Sequence, residues 1–318
     1  MIALRDALAA ADVSGPTALT LGVFDGVHLG HRHLLRALHD DAAARGLVSV
    51  ALTFSNHPLA VLRPELDIVM LTPIGERIDL IRTAGVDHVV PVAFTAELSQ
   101  LSAEQFVTTL RDTLDLRHLV LGPDFALGQG RAGTPPVLTA LGQHLGYSVR
   151  VVEPLVLERG PARSTAIRDS LAAGDVEAAA EILGRPFSLA APVVAGEGRG
   201  GGELGFPTCN LGLGASQALP ADGIYAAWVL VDDQCLPAAA SVGTKPTFHD
   251  VGPRVVEAFV LDFDGDLYGK DVRIEFVCFI RPQERFASAA ELAAQIALDV
   301  EATRASLALG QAAKSEAG

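Results

Sequence analysis

Two histidines three residues apart, His28 and His31, are the first residues whose types and spacing could do chemistry. They follow a strand-like apolar segment and precede a helix-like one, so they lie where unpaired helix N–H groups and the helix dipole attract an anion. Histidines at positions i and i+3 of a helix share one face and can reach a single ligand. The pair predicts a phosphate-binding site, and two surface histidines in a polar loop are the alternative.

A second anion-binding segment is predicted in the sequence ARSTAIRDSL, residues 162–171. Ser164 and Thr165 carry hydroxyls that can bond phosphate, and Arg168 adds a bidentate donor. Capping of the following helix is the alternative role for Ser164. Asp124 lies in a turn after another strand-like segment, where it could accept a hydrogen bond from a ribose or from the loop that follows it.

Thr208 and Asn210 are two residues apart in GFPTCNL, so in an extended segment their side chains face the same way. Two neutral oxygen ligands could hold Mg²⁺ together with ATP phosphates and waters. A turn-forming role for this Pro-Thr-x-Asn sequence is the alternative. The glycine-rich segment 196–205 just before it could fold over phosphates or serve as a linker.

In RVVEAFVLDF, alternation places Glu257 on one face of a predicted strand, among Val255, Phe259, Leu261 and Phe263. A lone carboxylate on an apolar face is unfavourable unless it has a partner or a function. A general base that deprotonates an alcohol is the functional interpretation. A glutamate on an edge strand that reaches solvent is the alternative.

Two folds are predicted for the elements that must position these residues. Alternating strand-like and helix-like segments in the first half predict an α/β domain with a parallel sheet covered on both faces. Ligands on such sheets bind beyond the carboxyl ends of the strands, so His28, Asp124 and Asn56-His57-Pro58 are expected to line one crevice. In the second half, strand-like segments separated by turns predict an antiparallel sheet closed into a small barrel, followed by one helix. We place the domains at 1–184 and 185–318.

The composition limits the class of partner. The chain has 318 residues, of which 49% are hydrophobic and 19% charged, enough for two domains with substantial cores. Its net charge of −14 argues against nucleic acid and anionic membranes as partners. No apolar run approaches the ~20 residues of a membrane span, and three widely spaced cysteines suit neither a disulfide framework nor a zinc site. We expect a cytoplasmic protein without a signal peptide, with small-molecule substrates and at most weak self-association.

Taken in order along the chain, these segments resemble one family, the bacterial bifunctional riboflavin kinase/FAD synthetases. His28-Leu29-Gly30-His31 matches the HxGH signature of nucleotidylyltransferases, and it lies inside a longer segment typical of this family. The matching segments cover nearly the whole chain: LGVFDGVHLGH, TFSNHP, GPDF, STAIR, GDVEAAAEILGRPF, LGFPTCN, GIYAAWV, SVGTKPTF and VEAFVLDFDGDLYG.

The resemblance implies two activities on two folds. A Rossmann-like N-terminal domain would transfer AMP from ATP to FMN, giving FAD and pyrophosphate. A six-stranded antiparallel barrel with a C-terminal helix would phosphorylate riboflavin to FMN with ATP and Mg²⁺. The implied residues are, for catalysis, Glu257 (the kinase base), His28, His31 and Arg168; for nucleotide binding, Gly22, Phe24, His28, His31, Asp124, Ser164, Thr165, Arg168, Gly205, Phe206 and Pro246; and for Mg²⁺, Thr208 and Asn210.

The chain departs from the family pattern in its first half. It has Asn56 where the family has the first Pro of PHP, and Arg163 and Ala166 where the family has the first Ser and the middle Arg of SSTRIR. Two alternatives to a bifunctional enzyme follow from these departures and from the absence of any proof of turnover in a sequence. One is a riboflavin kinase with a weakened or repurposed adenylyltransferase domain, and the other is a non-catalytic flavin-binding regulatory protein.

Overall fold

The structure, a computed structural model, describes residues 2–194, 208–214, 216–244 and 254–316. The chain divides into two compact units, Met1–Ser164 and Thr165–Gly318. Within the described ranges, no helix combines the length and the apolar character needed to cross a membrane.

A five-stranded parallel sheet forms the centre of the first unit. Its strands are β1 (Thr17–Gly22), β2 (Val48–Phe54), β3 (His88–Val92), β4 (Leu116–Leu121) and β5 (Ser148–Val151). They lie side by side in the order β3-β2-β1-β4-β5, so the direction of winding reverses between β1 and β4. A crevice opens outside the carboxyl ends of the strands at such a reversal.

Helices connect these strands, and a short hairpin follows the sheet. The helices of the first unit are α1 (Ile2–Ala9), α2 (Leu29–Arg45), α3 (Pro58–Leu62), α4 (Ile74–Arg82), α5 (Ala96–Ser99), α6 (Ala103–Leu114) and α7 (Pro135–Leu145). The hairpin pairs β6 (Val156–Leu157) with β7 (Gly160–Pro161).

Alternation along β1 and β2 divides the core of the first unit into two clusters. Leu19 and Leu52 lie in one cluster with side chains of α1, α6 and α7, whereas Ala18 and Ala51 lie in another with side chains of α2 and α4. Both faces of the sheet are therefore buried, which explains why its strands read as continuous apolar runs. The parallel sheet covered on both faces is confirmed.

Local sequence signals set the ends of two helices of the first unit. The helix α6 begins with a capping box in which Gln105 N donates to Ser102 Oγ over 3.1 Å and Ser102 N donates to Gln105 Oε1 over 2.9 Å. The helix α2 ends at Gly46, whose φ of 64° is a left-handed conformation that glycine adopts without strain.

A closed six-stranded antiparallel barrel forms the second unit, with two helices before it and one after it. The elements are α8 (Ser164–Ala172), α9 (Val176–Leu183), β8 (Phe187–Val194), β9 (Thr208–Leu211), β10 (Gly223–Val231), β11 (Gln234–Thr244), β12 (Arg254–Val260), β13 (Asp271–Arg281) and α10 (Ala289–Glu316). The strands close in the order β10-β11-β12-β9-β8-β13, with β13 pairing back onto β10. The predicted barrel and its C-terminal helix are confirmed.

The helix α9 belongs to the barrel by its packing. It contacts β8 and β13, and its buried residues are Val176, Ala178, Ala179, Ile182 and Leu183. The compact units therefore meet at residue 164, and the functional domain boundary expected at 184 stays a prediction.

Candidate functional site

A cleft of ≈ 390 Å³ opens at the carboxyl ends of β1, β4 and β5, where the order of the strands reverses. The end of β1, the start of α2, the turn after β4, the segment after β5 and the residues just before α8 form its walls. All lining residues belong to the first unit. Six of the predicted site residues are among them: Gly22, Phe24, His28, His31, Asp124 and Ser164.

The two histidines stack against each other at the start of α2. Their ring centroids are 3.6 Å apart and the ring planes differ by 19°. His28 is 4% exposed and caps the helix, because its Nδ1 accepts a hydrogen bond from His31 N at 3.3 Å. A neutral His28 that accepts at Nδ1 carries its proton on Nε2, so this edge of the ring is a donor.

Burial controls the charge of His31. Its Nδ1 is enclosed and has no hydrogen-bond partner among the described residues, although the residue as a whole is half-buried. Burial lowers the pKa of His31 well below its ordinary value, and the nearby His28 and Arg77 lower it further. The ring is therefore neutral at pH 7, where it can donate a hydrogen bond to an anion without carrying a charge.

The loop between β1 and α2 has an unusual backbone. Phe24, Gly26 and Val27 all adopt positive φ angles, of 51°, 83° and 39°. Such conformations are costly for non-glycine residues and persist where surrounding contacts impose them. Asp25 supplies such contacts, because its carboxylate accepts from Leu71 N at 3.0 Å and is 3% exposed.

Ser164 joins this loop from the far side of the cleft. Its Oγ donates to the main-chain oxygen of Asp25 at 2.8 Å. A Cβ at position 30 would lie 2.9 Å from the main-chain oxygen of Ala162, so a glycine is needed at Gly30 for this close approach. The hydroxyl of Ser164 thus bonds a strand–helix loop, a contact that neither sequence interpretation foresaw.

Arg77, on α4, is a component of this region that the sequence did not reveal. It is 1% exposed, and its Nη1 donates to Val23 O at 2.7 Å and to Phe54 O at 3.0 Å, just beyond β1 and at the end of β2. Burial lowers the pKa of Arg77, and the charge of Asp25 opposes that shift. A weak signal exists, because Arg77 precedes the buried Ile81 by four residues and so lies on the apolar face of α4.

An ion pair lies at the rim of the cleft. Arg163 Nη2 is 3.0 Å from Asp124 Oδ2, and the two side chains are 60% and 79% exposed. The loop after Asp124 also contacts it, but Arg131 donates to its main-chain oxygen, at 3.2 Å, and not to its carboxylate. Arg163 entered the sequence analysis only as a departure from the family pattern, and its pairing with Asp124 was not foreseen.

The residues that line the cleft do not include two predicted residues and one predicted segment. Thr165 and Arg168 follow Ser164 in α8 and belong to the second unit, so their phosphate contacts stay predictions. Asn56, expected in the crevice, instead bridges the ends of β2 and β3: its Nδ2 donates to Phe94 O at 2.9 Å and its Oδ1 accepts from Phe94 N at 2.7 Å. The expectation that Asn56-His57-Pro58 lines the cleft is therefore wrong.

A buried histidine, His118, lies near the amino end of β4, whereas the cleft lies at the carboxyl ends of the strands. His118 Nε2 is 3.0 Å from Asp41 Oδ2, and its Nδ1 is 2.7 Å from Ser148 Oγ. Burial lowers the pKa of His118, and the hydrogen bond with Asp41 only partly offsets this shift. Burial alone would raise the pKa of Asp41, but hydrogen bonds with His118 and Arg150 outweigh it and leave that pKa lowered. We interpret this network as structural.

In the barrel, strand register brings two predicted site residues together. Asn210 of β9 and Ser241 of β11 each lie directly opposite Glu257 of β12. Residues directly opposite each other in antiparallel strands project on the same face. Thr208, two residues before Asn210 on β9, lies opposite Phe259. The predicted residues Gly205, Phe206 and Pro246, with the glycine-rich segment 196–205, lie outside the described residues.

Asn210 offers an oxygen suited to a hard cation. It is 7% exposed, and its Oδ1 receives no hydrogen bond from any described residue. Buried polar atoms without a partner are rare, and amide oxygens are ligands that Mg²⁺ accepts. Within the described ranges, no group of three or more His, Cys, Asp and Glu side chains forms a metal centre.

The surroundings of Glu257 differ from the sequence expectation. The fully buried residues of β12 are Val256 and Ala258, while Glu257 lies on the other face and is half-buried. The strand ends at Val260, so Leu261 and Phe263 do not continue that face. The apolar face drawn from alternation is therefore wrong in extent, and the position of Glu257 beside Asn210 replaces it as the reason to assign a function.

Comparisons with known proteins match both halves of the chain. Residues 11–166 match the FAD synthetase family, and residues 183–307 match the riboflavin kinase family. Bifunctional riboflavin kinase/FMN adenylyltransferases from Escherichia coli K12, Pseudomonas fluorescens and Bacillus subtilis 168 are 35%, 36% and 33% identical to this chain. The alignments cover 88%, 90% and 89% of this chain and 90%, 91% and 90% of those proteins.

A solved structure agrees with these relationships in sequence and fold. The crystal structure of a macrolide-efflux protein from Streptococcus pneumoniae is 31% identical, with a TM-score of 0.84, and the match covers 92% of this chain and 96% of that one. The name of that protein describes an efflux activity, and the similarity to this chain is one of sequence and fold.

Proposed function

This chain belongs to the family of bifunctional riboflavin kinase/FMN adenylyltransferases, and from that premise we propose how its two halves make FAD. The enzyme phosphorylates riboflavin to FMN with ATP, and it then transfers AMP from a second ATP to FMN, with release of pyrophosphate. We assign adenylylation to residues 1–184 and phosphorylation to residues 185–318. The ranges of the two family matches, 11–166 and 183–307, support this division.

For adenylylation, the observation that carries the proposal is the stacked pair of His28 and His31 at the switch point of the sheet. The phosphate of FMN attacks the α-phosphorus of ATP, and the bond to the β-phosphate breaks. The ring N–H groups donate to the phosphate oxygens on which negative charge builds up. Donors fixed in advance are effective because they do not reorganise during the reaction. No general base is needed, since the attacking phosphate is already ionised near neutral pH.

The remaining assignments on the first site follow the family pattern. We propose that Gly22, Phe24 and Asp124 contact the nucleotide, which their place on the cleft lining supports. Ser164, Thr165 and Arg168 complete the phosphate contacts from the start of α8. Ser164 keeps its hydroxyl oxygen as an acceptor while it donates to the loop of Asp25, so it also positions the loop that leads into the histidines.

For phosphorylation, we propose Glu257 as the general base that takes the proton of the riboflavin hydroxyl. Thr208 and Asn210 would hold Mg²⁺, and the unpartnered oxygen of Asn210 supports this ligand set. The cation, when bound, would neutralise charge on the ATP phosphates. Gly205, Phe206 and Pro246 are proposed nucleotide contacts.

A single assay tests the proposal. The protein is incubated with riboflavin, ATP and Mg²⁺, and the flavins are separated by chromatography. FAD supports both activities, FMN alone supports a kinase with a weakened first half, and unchanged riboflavin supports a non-catalytic flavin-binding protein. A second incubation that starts from FMN measures adenylylation separately.

We also propose a cytoplasmic enzyme that acts on small molecules, does not bind nucleic acid and self-associates at most weakly. The net charge of −14 supports the absence of a nucleic-acid partner. Cys209, Cys235 and Cys278 are all free thiols, which supports a reducing compartment. Sedimentation of the purified protein over a range of concentrations tests the self-association.

A further inference from the structure

The cleft of the first unit carries little positive charge for a site that binds a triphosphate. Among the described residues of its lining, Arg163 is the one arginine or lysine, and Asp124 and Glu153 add two carboxylates. Of the two stacked histidines, His31 does not supply the missing charge, because burial lowers its pKa well below the ordinary value. A nucleoside triphosphate carries several negative charges, so the one cationic side chain on this lining has a large electrostatic effect.

The ion pair that holds Arg163 in the structure is easily exchanged. Its 3.0 Å contact with Asp124 lies at the rim, where both side chains are more than half exposed. Exposed pairs of this kind are weak because water screens them and because ordering two side chains costs entropy. A phosphate group offers the guanidinium two parallel hydrogen bonds and a higher charge than one carboxylate. Phosphate therefore competes well for Arg163.

The place of Arg163 indicates which part of the nucleotide it meets. His28 is almost fully buried at the base of the cleft, whereas Arg163 is 60% exposed at its rim and directly precedes Ser164. We place the transferring phosphate at the histidines and the outer phosphates toward the rim. These outer phosphates are the part that departs as pyrophosphate.

We propose that Arg163 is a nucleotide-binding residue that exchanges Asp124 for the outer phosphates of ATP. Without nucleotide it pairs with Asp124, and with nucleotide its guanidinium binds the phosphates while the carboxylate of Asp124 becomes available to the hydroxyls of the nucleotide sugar. This inference rests on the proposed adenylyltransferase function and names a residue of that site beyond those assigned above.

The experiment measures FAD formation from FMN by the full-length enzyme, so that the kinase half has no substrate to convert. Arg163→Gln is expected to raise KM for ATP and the inhibition constant of inorganic pyrophosphate by about tenfold each, the effect of losing a charge-assisted contact. KM for FMN should stay at the wild-type value, and Arg163→Lys should restore part of the loss. Added salt should raise KM for ATP more steeply in the wild type than in Arg163→Gln, because salt screens the exposed contact.

Asp124→Asn separates phosphate binding from a structural ion pair. Pyrophosphate has no sugar that could bind Asp124. In Asp124→Asn, Arg163 has lost its competing carboxylate, so pyrophosphate should inhibit this variant with an inhibition constant at or below the wild-type value. A rise in the inhibition constant equal to that of Arg163→Gln would show that the pair only maintains the rim, and the proposal would fall. Arg117→Gln is the matched control, since Arg117 forms an exposed 2.8 Å ion pair with Asp115 at the amino end of β4, away from the cleft.

The outcomes for this inference and for the proposed function are distinct. If the wild-type protein forms no FAD from FMN, the proposed adenylylation is wrong. If the wild type forms FAD and Arg163→Gln matches it in KM for ATP and in pyrophosphate inhibition, the function stands and the role of Arg163 is refuted.

Discussion

The cleft of the first unit and the paired strands β9 and β12 of the barrel bring together different kinds of side chains. In the cleft, two stacked histidines at a helix N-terminus offer ring N–H donors. In the barrel, Glu257 lies opposite Asn210, whose amide oxygen has no donor among the described residues. The difference corresponds to the nucleophiles of the two reactions. A phosphate is already ionised and needs stabilisation of charge, whereas a hydroxyl must also lose its proton.

The largest expected effect is on the barrel side of this comparison. Glu257→Gln keeps the shape of the side chain and removes its basicity, so kcat for riboflavin phosphorylation should fall on the order of 10²–10⁴-fold. FAD formation from supplied FMN should be unchanged. Glu275→Gln is the matched control, because Glu275 is also half-buried on the barrel, in β13. Near-normal kinase turnover in Glu257→Gln would show that Glu257 is not the general base.

The next effect tests the cleft. His28→Ala and His31→Ala should each slow FMN adenylylation by about 10²-fold, the scale of losing one preorganised donor. Riboflavin phosphorylation should hardly change. His144→Ala, at an exposed position in the last turn of α7, should leave both rates at their wild-type values. An equal loss of both activities in the His28 or His31 variants would indicate damage to the fold.

A smaller effect is expected from the buried Arg77, which bonds the main chain at the ends of β1 and β2. Arg77→Met removes the donors to Val23 O and Phe54 O and should lower the free energy of unfolding by about 2–3 kcal/mol. Arg82→Met serves as the control, because Arg82 lies on the same helix and its side chain is 61% exposed. Urea unfolding of the two variants gives the comparison. Equal stability in both would mean that the carbonyl oxygens find other donors.

The smallest expected effect is a loss of folding stability at acidic pH. The pKa values of His118 and His31 are lowered in the folded protein, so the unfolded chain takes up protons first as pH falls past about 6.5. Stability from these neutral rings is fully present above that pH and is lost below it. Asp41, whose pKa is also lowered, contributes in the same direction at still lower pH.

The acid effect should distinguish the two units. All three of these groups lie in the first unit, whereas Trp228, the one tryptophan of the chain, lies in β10 of the barrel. Urea unfolding at pH 7.5 and pH 5.5, followed by circular dichroism and by tryptophan fluorescence, should show the larger loss in the dichroism signal. His118→Gln should reduce the difference between the two pH values. A pH shift of equal size in both signals would contradict the assignment of the effect to the first unit.

Regular patterns made most of the fold predictable. Apolar runs separated by helix-like segments indicated the parallel sheet, and Ser102 and Gln105 marked the start of α6 because capping depends on neighbours in sequence. The spacing of His28 and His31 identified the cleft for the same reason, since both lie within one turn of a helix. These signals are local.

The parts that were missed depend on contacts between distant segments. Arg163 and Asp124 are 39 residues apart, and nothing in either neighbourhood indicates their ion pair. The role of Arg77 depends on the carbonyl oxygens of Val23 and Phe54, which approach each other only when β1 and β2 pair. Alternation in β12 could not show which face of the strand is buried, because apolar residues occupy both faces.

The packing of α9 determines where a fragment that contains the barrel can begin. A fragment that began at Phe187 would uncover the face of β8 and β13 that α9 protects, and would present apolar surface to other molecules. Such a fragment would tend to aggregate whether or not its catalytic residues were intact. A kinase fragment that began at Thr165 would keep this cover, whereas an adenylyltransferase fragment would still need Thr165 and Arg168, so the fragments that express the two activities separately should both include α8.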